Sequence, residues 1–211
     1  MDGHDRRDRV RATYDRIADH FAQTRSAPWP EIRAFVDQCE PVSWGCDIGC
    51  GNGRHLPILQ NTASDVLGLD SSRETLRNAR EHRSDGVEII QADAGILPLC
   101  DHTIGVATYI ATLHHLPNRQ ARIESLNELA RVLELSGRAL ISVWSVTDDR
   151  FDFDEGQDRL VPWTLPDGTA VKRFYHIYDR EDFMSELTAS TLQVVSIEES
   201  AGNWYAEVTR S

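Results

Sequence analysis

The sequence predicts an α/β domain: a mostly parallel sheet flanked by helices and closed by an antiparallel hairpin at its C-terminal end. Three observations predict it. Short apolar runs rich in Val and Ile alternate with helical patterns from 42 to 146, as strands buried on both faces do. A glycine turn, Gly49-Cys50-Gly51-Asn52-Gly53, follows the first of these runs and opens a helix. Two final strands, 192–199 and 203–209, are separated only by Ser200-Ala201-Gly202, the spacing of a hairpin. With 211 residues, a single domain over 1–211 is expected.

In chain order, residues 4–23 form a helix, with Val10, Tyr14, Ile17, Ala18 and Phe21 at helical spacing. Thr24 to Pro30 is a loop, and a second helix runs from about 30 to 39. A strand at 42–48 ends in the glycine turn, followed by a short helix at 52–60 and a strand at 66–70. Ser71 and Glu74 have capping-box spacing for a helix over 72–83. A strand at 87–92, a loop at 93–103 and a strand at 104–111 come next. The helix at 119–134 sets Ile123, Leu126, Leu129, Ala130 and Leu133 on one face and ends at Ser136-Gly137. A strand follows at 138–146. The acidic stretch 147–173 is expected to be irregular, and a helix at 179–189 leads into the hairpin.

Composition narrows the function. No apolar run approaches the roughly 18 residues of a membrane helix, and the charged start MDGHDRRDRV is unlike a signal peptide; a soluble cytoplasmic protein is expected. Four cysteines without a C-x-x-C pair predict neither a disulfide scaffold nor a metal site. Cys46 and Cys50 read as small buried residues. Asp plus Glu number 34 against 22 basic residues, a net charge of −12, and Lys172 is the only lysine. An Asp-rich, Lys-poor chain fits a high-salt (halophilic) cytoplasm, where acidic repulsion is screened, or a genome that favours Arg codons. The charge argues against a general nucleic-acid binder but leaves a local basic patch open. The run Asp148 to Asp158 reads as a solvated acidic loop.

The glycine turn permits close approach of a ligand to the backbone, next to a helix N-terminus with free N–H groups. It is not a phosphate P-loop, because no Gly-Lys-Ser/Thr follows, and Arg54 stands where a nicotinamide-binding fingerprint needs its third glycine. Asp70 ends the second strand, where an acidic residue can accept ribose hydroxyls. Asp93 follows the third strand.

These residues resemble the class I S-adenosylmethionine-dependent methyltransferases, whose first motif is an acidic residue followed by G-x-G-x-G. The resemblance implies a Rossmann-like, seven-stranded sheet with the cofactor S-adenosylmethionine, leaving as S-adenosylhomocysteine. It implies that Asp47, Gly49, Gly51 and Gly53 line the methionine end, that Asp70 holds the ribose, and that Asp93 and the adjoining Ala94 meet the adenine. Outside these motifs, Tyr14 to Arg25, Pro28-Trp29-Pro30, His114-His115, Leu160-Val161-Pro162-Trp163 and Arg173-Phe174-Tyr175-His176-Ile177-Tyr178 resemble the tRNA wobble-uridine carboxymethyl methyltransferases. That family converts the carboxylate of 5-carboxymethyluridine at the tRNA wobble position into a methyl ester.

The resemblance implies a substrate-side segment at 1–40 and an active-site insertion at 147–178. A carboxylate is ionised at neutral pH, so the reaction needs positioning and a cationic clamp, not a strong base. The candidates for the clamp and its surroundings are Arg25, His114, His115, Arg173, Tyr175 and His176. Tyr14, Trp29 and Tyr178 are candidates to hold the anticodon-loop base. Alternatives stay open: Arg25 as a surface arginine, one histidine of the pair as a core residue, Tyr175 and Tyr178 as packing, and Trp163 as an anchor. A small-molecule methyltransferase acting on a quinone or carboxylic acid is a second reading, which the acidic charge favours; a scaffold without catalysis is a third, which the intact glycine motif opposes. The resemblance also implies a small zinc-binding activator subunit in a heterodimer, expected along the edge strand at Val87, Ile89 and Ile90.

Overall fold

The structure, a computed structural model, describes residues 3–81 and 83–210. Seven strands form one sheet in the order β3-β2-β1-β4-β5-β9-β8. The parallel members are β1 (Val42–Ile48), β2 (Ala63–Asp70), β3 (Val87–Gln91), β4 (Ile104–Ile110) and β5 (Leu133–Trp144). The hairpin of β8 (Leu192–Ser200) and β9 (Asn203–Arg210) lays β9 antiparallel against β5. This is the predicted α/β sheet. After β3 the chain crosses back to place β4 on the other side of β1, and a cleft opens at the carboxyl ends of the strands where the winding reverses.

Period-two alternation divides the core into two layers. Ala107 and Tyr109 of β4 face a layer built with α5 (Arg119–Val132) and α6 (Arg180–Ala189), through Leu126, Leu129 and Phe183. Val106 and Ile110 face the other layer, of α2 (Pro30–Val36), α3 (Leu56–Leu59) and α4 (Arg73–Glu81), through Ile32, Leu59 and Leu76. Each fully buried Leu or Ile contributes about 2 kcal/mol of transfer free energy.

The long helix α1 (Gly3–Thr24) lies outside the sheet and is tied to α4 by polar groups. Here the structure corrects the expected cap. Ser72, not Ser71, caps α4, its Oγ accepting from the Thr75 N–H at 3.2 Å. Ser72 Oγ in turn donates to Asp15 of α1 at 2.7 Å, and Asp15 also accepts from the Glu74 N–H at 3.2 Å. Glu74 instead pairs with Arg77. The bond a capping-box Glu would make, to the N–H of the cap residue, is made instead by Asp70 Oδ1 on Ser72 at 2.8 Å, and Asp15 satisfies a further N–H of the first turn.

Three other expectations change. The helix after the glycine turn is one turn long, 56–59, because Gly51 and Gly53 hold positive φ. Helix α5 ends at Val132 and β5 starts at once; Gly137 sits inside β5, where the register against β4 jumps between Ile104 and Val106. A Cβ on Gly137 would meet the Ile104 carbonyl at 2.8 Å, so this glycine serves a bulge. The second part of the stretch expected to be irregular belongs to a separate two-stranded sheet, β6 (Gln157–Thr164) and β7 (Ala170–Ile177). Its turn, Leu165 to Thr169, has Gly168 at φ 84° and Asp167 accepting from the Thr169 N–H.

Strand β3 lies at the sheet edge, as expected, but its apolar side chains do not form an outer surface. Val87 and Ile89 are buried in the α4 layer and Ile90 is half-buried on the other face. The outward carbonyls of Val87 and Ile89 accept from Arg83 at 3.5 Å and Arg80 at 3.3 Å. No helix among the described residues is long and apolar enough to cross a membrane.

Candidate active site

A cavity of about 370 Å³ opens at the winding reversal. The glycine turn forms its floor, with Gly49, Gly51 and Gly53 at φ 73°, 55° and 79°. A Cβ on Gly49 would lie 2.1 Å from Thr112 Oγ1, so only glycine lets the β1 turn pass the β4 end this closely. Gly53 does not line the cavity; it lets Leu56 and Ala79 pack against the turn.

The predicted carboxylates stand around this floor. Asp70 accepts from the Gly51 N–H at 2.9 Å and the Ser72 N–H at 2.8 Å; burial raises its pKa and these two bonds oppose the rise. Each oxygen keeps a lone pair for a ligand hydroxyl. Asp93 accepts from the Gly95 N–H at 2.7 Å, faces Arg7 at 3.5 Å and lines the cavity beside Ala94. Asp47 lies just behind the lining, 1% exposed; Oδ1 accepts from Thr108 at 2.7 Å, and Oδ2 has no hydrogen-bond partner, with His55 Nδ1 3.9 Å away. Burial raises its pKa to about 7. This unpartnered buried oxygen fits a cationic amine, Asp70 fits a pair of hydroxyls, and the open floor fits a close-lying thioether chain. The residues therefore suit S-adenosylmethionine, which when bound supplies an electrophilic methyl group.

On the substrate side the structure separates the predicted residues. His115 lines the cavity; its Nδ1 donates to the Phe174 carbonyl at 2.7 Å, so Nε2 accepts from the Tyr14 hydroxyl at 2.8 Å. Burial, with the Arg173 charge nearby, lowers its pKa to about 3. His114 accepts from the Trp144 N–H at 3.1 Å and is also held neutral by burial. Neither histidine is a cation here, which corrects their candidacy for the clamp. Tyr175 packs at tilted and edge-on angles against both histidines and Trp144, with ring centroids 4.4–4.8 Å apart.

Arg173 is buried beside this cluster, its Cζ 4.7 Å from the Trp163 ring centroid, and Arg25 lies over the same ring at 5.5 Å. Neither directly lines the cavity. Arg54, half-buried, does line it and stacks on Trp29 at 4.8 Å. No carboxylate among the described residues is ion-paired with Arg25, Arg54 or Arg173. Sequence reasoning noticed Arg54 only as a departure from a glycine motif and missed it as a cavity residue.

Three expected site residues lie elsewhere. His176 follows Arg173 and Tyr175 on β7 with the opposite parity, so it points to the other face, bonded to Asp158 at 2.9 Å and Asp182 at 2.7 Å. Tyr178 is fully buried and donates to Glu186 at 2.8 Å, next to the Arg122–Glu186 ion pair. Trp29 packs on the α2–α4 layer against Tyr205 and His55. Trp163 is the expected anchor, packed with Ile17 and Val171. Asp148 and Asp158 of the acidic run are engaged by Arg150 and by Arg6 and His176. No group of metal-ligating residues is present among the described residues.

A reversal cleft with a glycine turn, an acidic residue on each of its first two strands and a terminal antiparallel hairpin define a class I methyltransferase. Residues 46–141 match the methyltransferase domain family. Among curated proteins, the tRNA (carboxymethyluridine(34)-5-O)-methyltransferase of Saccharomyces cerevisiae is 35% identical over 161 residues, 74% of this chain and 57% of that protein. The enzyme of the same name from Schizosaccharomyces pombe is 29% identical over 201 residues, 84% of this chain and 85% of that protein. The chain spans from a third to just over half the length of the first curated relatives it matches, 33% to 57%. The chain carries the domain of the class I S-adenosylmethionine-dependent methyltransferases and is similar over most of its length to these tRNA enzymes. Among solved structures, the DhpI-SAM-HEP complex superposes with a TM-score of 0.73 at 20% identity, covering 93% of this chain and 94% of that one. A chain of the complex between the Haloferax volcanii Trm112 methyltransferase activator and a methyltransferase gives 0.68 at 15%, covering 93% and 97%. These two likenesses show the fold.

Proposed function

We propose that the chain transfers a methyl group from S-adenosylmethionine to the carboxylate of 5-carboxymethyluridine at the tRNA wobble position, in the cytoplasm. One observation carries the reading: three arginines, Arg25, Arg54 and Arg173, stand at the cavity or against its wall without a carboxylate partner in a chain of net charge −12. Unpaired, partly desolvated guanidinium groups suit an anionic substrate. A carboxylate is already the nucleophile at neutral pH, so neutral histidines are no obstacle. His115, fixed between the Phe174 carbonyl and Tyr14, orients the Tyr14 ring at the cavity wall. Arg173 and Arg25 hold the carboxylate for in-line attack, and the turn and Phe21 exclude water.

The deciding experiment is nucleoside mass spectrometry of tRNA from a strain lacking the gene. Loss of the methyl ester with gain of free 5-carboxymethyluridine is expected; an unchanged wobble profile, with methyl transfer to a small carboxylic acid instead, would establish the small-molecule reading.

For the partner, the proposal is strand addition of the zinc-binding activator to β3, forming a heterodimer. Such an addition pairs backbone with backbone, so it must displace Arg80 and Arg83 from the Ile89 and Val87 carbonyls. Replacing both with Ala is expected to leave the edge bare and make the isolated chain self-associate, while the activator complex still forms and stays monodisperse. Size-exclusion chromatography with light scattering reads this; a double variant that remains monomeric alone would remove the edge from the partner interface.

A further inference from the structure

The side of α1 turned away from the cleft forms one wall of a second groove, of about 670 Å³, whose other wall is the β6–β7 hairpin. Arg6, Arg9, Thr13 and Arg16 follow one another on this side of the helix, whereas Arg7, Arg11 and Tyr14 line the cleft; Val10 borders both. The helix is therefore a shared wall, and about 10–12 Å of helix diameter separates the two openings.

The groove is apolar at its floor and basic at its rim. Leu160 is 60% exposed there, beside Val171 and Phe174, with Arg6 Cζ 4.3 Å over the Phe174 ring. Arg9, Arg16, Arg159 and Lys172, the chain's single lysine, stand exposed around it. The carboxylates near it are already engaged: Asp158 by Arg6 and His176, Asp5 by Arg9, and Asp167 by the Thr169 N–H. Five cations thus face three carboxylates here, against 22 facing 34 in the whole chain. A cationic rim around apolar and aromatic surface matches single-stranded nucleic acid, which offers phosphates and stacking faces together.

We infer that this groove binds the single-stranded RNA backbone next to the nucleotide that enters the cleft. The inference rests on the RNA substrate proposed above and adds where an acidic protein holds it. A strand crossing the N-terminal half of α1 would meet Arg7 and Arg11 on the cleft side, with Asp8 already paired to Arg11, and Arg6, Arg9 and Arg16 on the groove side.

The test is the combined variant Arg9→Gln, Arg16→Gln, Arg159→Gln and Lys172→Gln, with Arg33→Gln/Arg180→Gln as a remote control, each purified with its activator where one co-purifies. The probe is an anticodon stem–loop carrying 5-carboxymethyluridine, titrated across salt, with KM, kcat and cofactor affinity measured in parallel. The groove variant is expected to bind the RNA about tenfold or more weaker at about 0.1 M salt, with a log–log salt slope shallower by about 3, at about 0.7 per lost phosphate contact. Its cofactor affinity and kcat at saturating RNA stay unchanged, and the control matches the wild type. Wild-type affinity and slope in the groove variant, with normal turnover of the RNA by the wild type, would overturn the groove and leave the enzymatic reading standing. Failure of the wild type itself to bind or methylate the RNA would overturn both. Loss of a co-purifying protein with intact RNA binding would reassign the groove to a protein partner.

Discussion

Replacing Arg173 with Met is expected to lower methyl transfer to tRNA by about two to three orders of magnitude, the usual loss when a preorganised electrostatic group is removed. Cofactor affinity should hold, because Asp47, Asp70 and Asp93 lie on other strands and turns. Stability should hold as well. Arg173 is 8% exposed, its Nε has no partner, and among the described residues no carboxylate is ion-paired with it. A buried cation without a counter-charge destabilises a fold, and an apolar residue of similar length in its place is neutral or stabilising. Thus a thermal midpoint equal to or above the wild type, with activity lost, separates substrate binding from folding. Arg173→Lys keeps the charge but loses the planar fork and should recover only part of the activity. Because both histidines are held neutral by burial, the rate should show no histidine inflection between about pH 5 and 8. Full turnover by Arg173→Met would move the clamp to Arg25 and Arg54.

The residues that sequence reasoning reached and those it misplaced differ in a physical way. Asp47, Asp70 and Asp93 each follow or end a parallel strand that reads as a continuous apolar run, so strand and site are found together. Strands β6 and β7 lie outside the main sheet, and β6 carries Asp158, Arg159 and Pro162 with Leu160 exposed; burial on one side only leaves no such run. The turn between them, Leu165-Pro166-Asp167-Gly168-Thr169, did carry a readable signal. Had β7 been recognised as a strand, period-two alternation would have kept Arg173 with Tyr175 and set His176 apart. Tyr178 and Trp29 are different: Tyr178 meets Glu186 only because the chain turns from β7 into α6, and Trp29 packs on Tyr205, which is distant in the chain. Edge-strand reasoning located β3 correctly but counted side chains, whereas the exposed feature is the backbone that Arg80 and Arg83 cover.

The second large effect is expected at Asp47, where stability and binding should move in opposite directions. Burial holds its carboxyl at about 7 in the folded chain, against 3.8 for the ordinary group. Below about pH 4 the group is protonated whether folded or unfolded, and the fold carries no penalty. As pH rises from about 4 to about 7 the unfolded chain ionises first, and stability falls. Above about 7 both forms are ionised and the full penalty, about 4 kcal/mol for a shift of this size, is present. Asp47→Asn removes it while an amide oxygen can still accept from Thr108, so the variant should melt higher than the wild type at pH 8 and alike at pH 4. Cofactor binding should show the reverse. The unpartnered Oδ2 attracts the amine of S-adenosylmethionine only when ionised, so wild-type affinity should rise about eightfold from pH 6 to pH 7.5 as the carboxyl loses its proton. The Asn variant should bind weakly and without pH dependence over that range. Calorimetric titration at the two pH values, beside thermal melts at pH 4 and 8, measures both arms. A wild-type affinity that is flat with pH would mean that the amine is held elsewhere, and an Asn variant no more stable at pH 8 would mean that Asp47 is solvated in the folded chain.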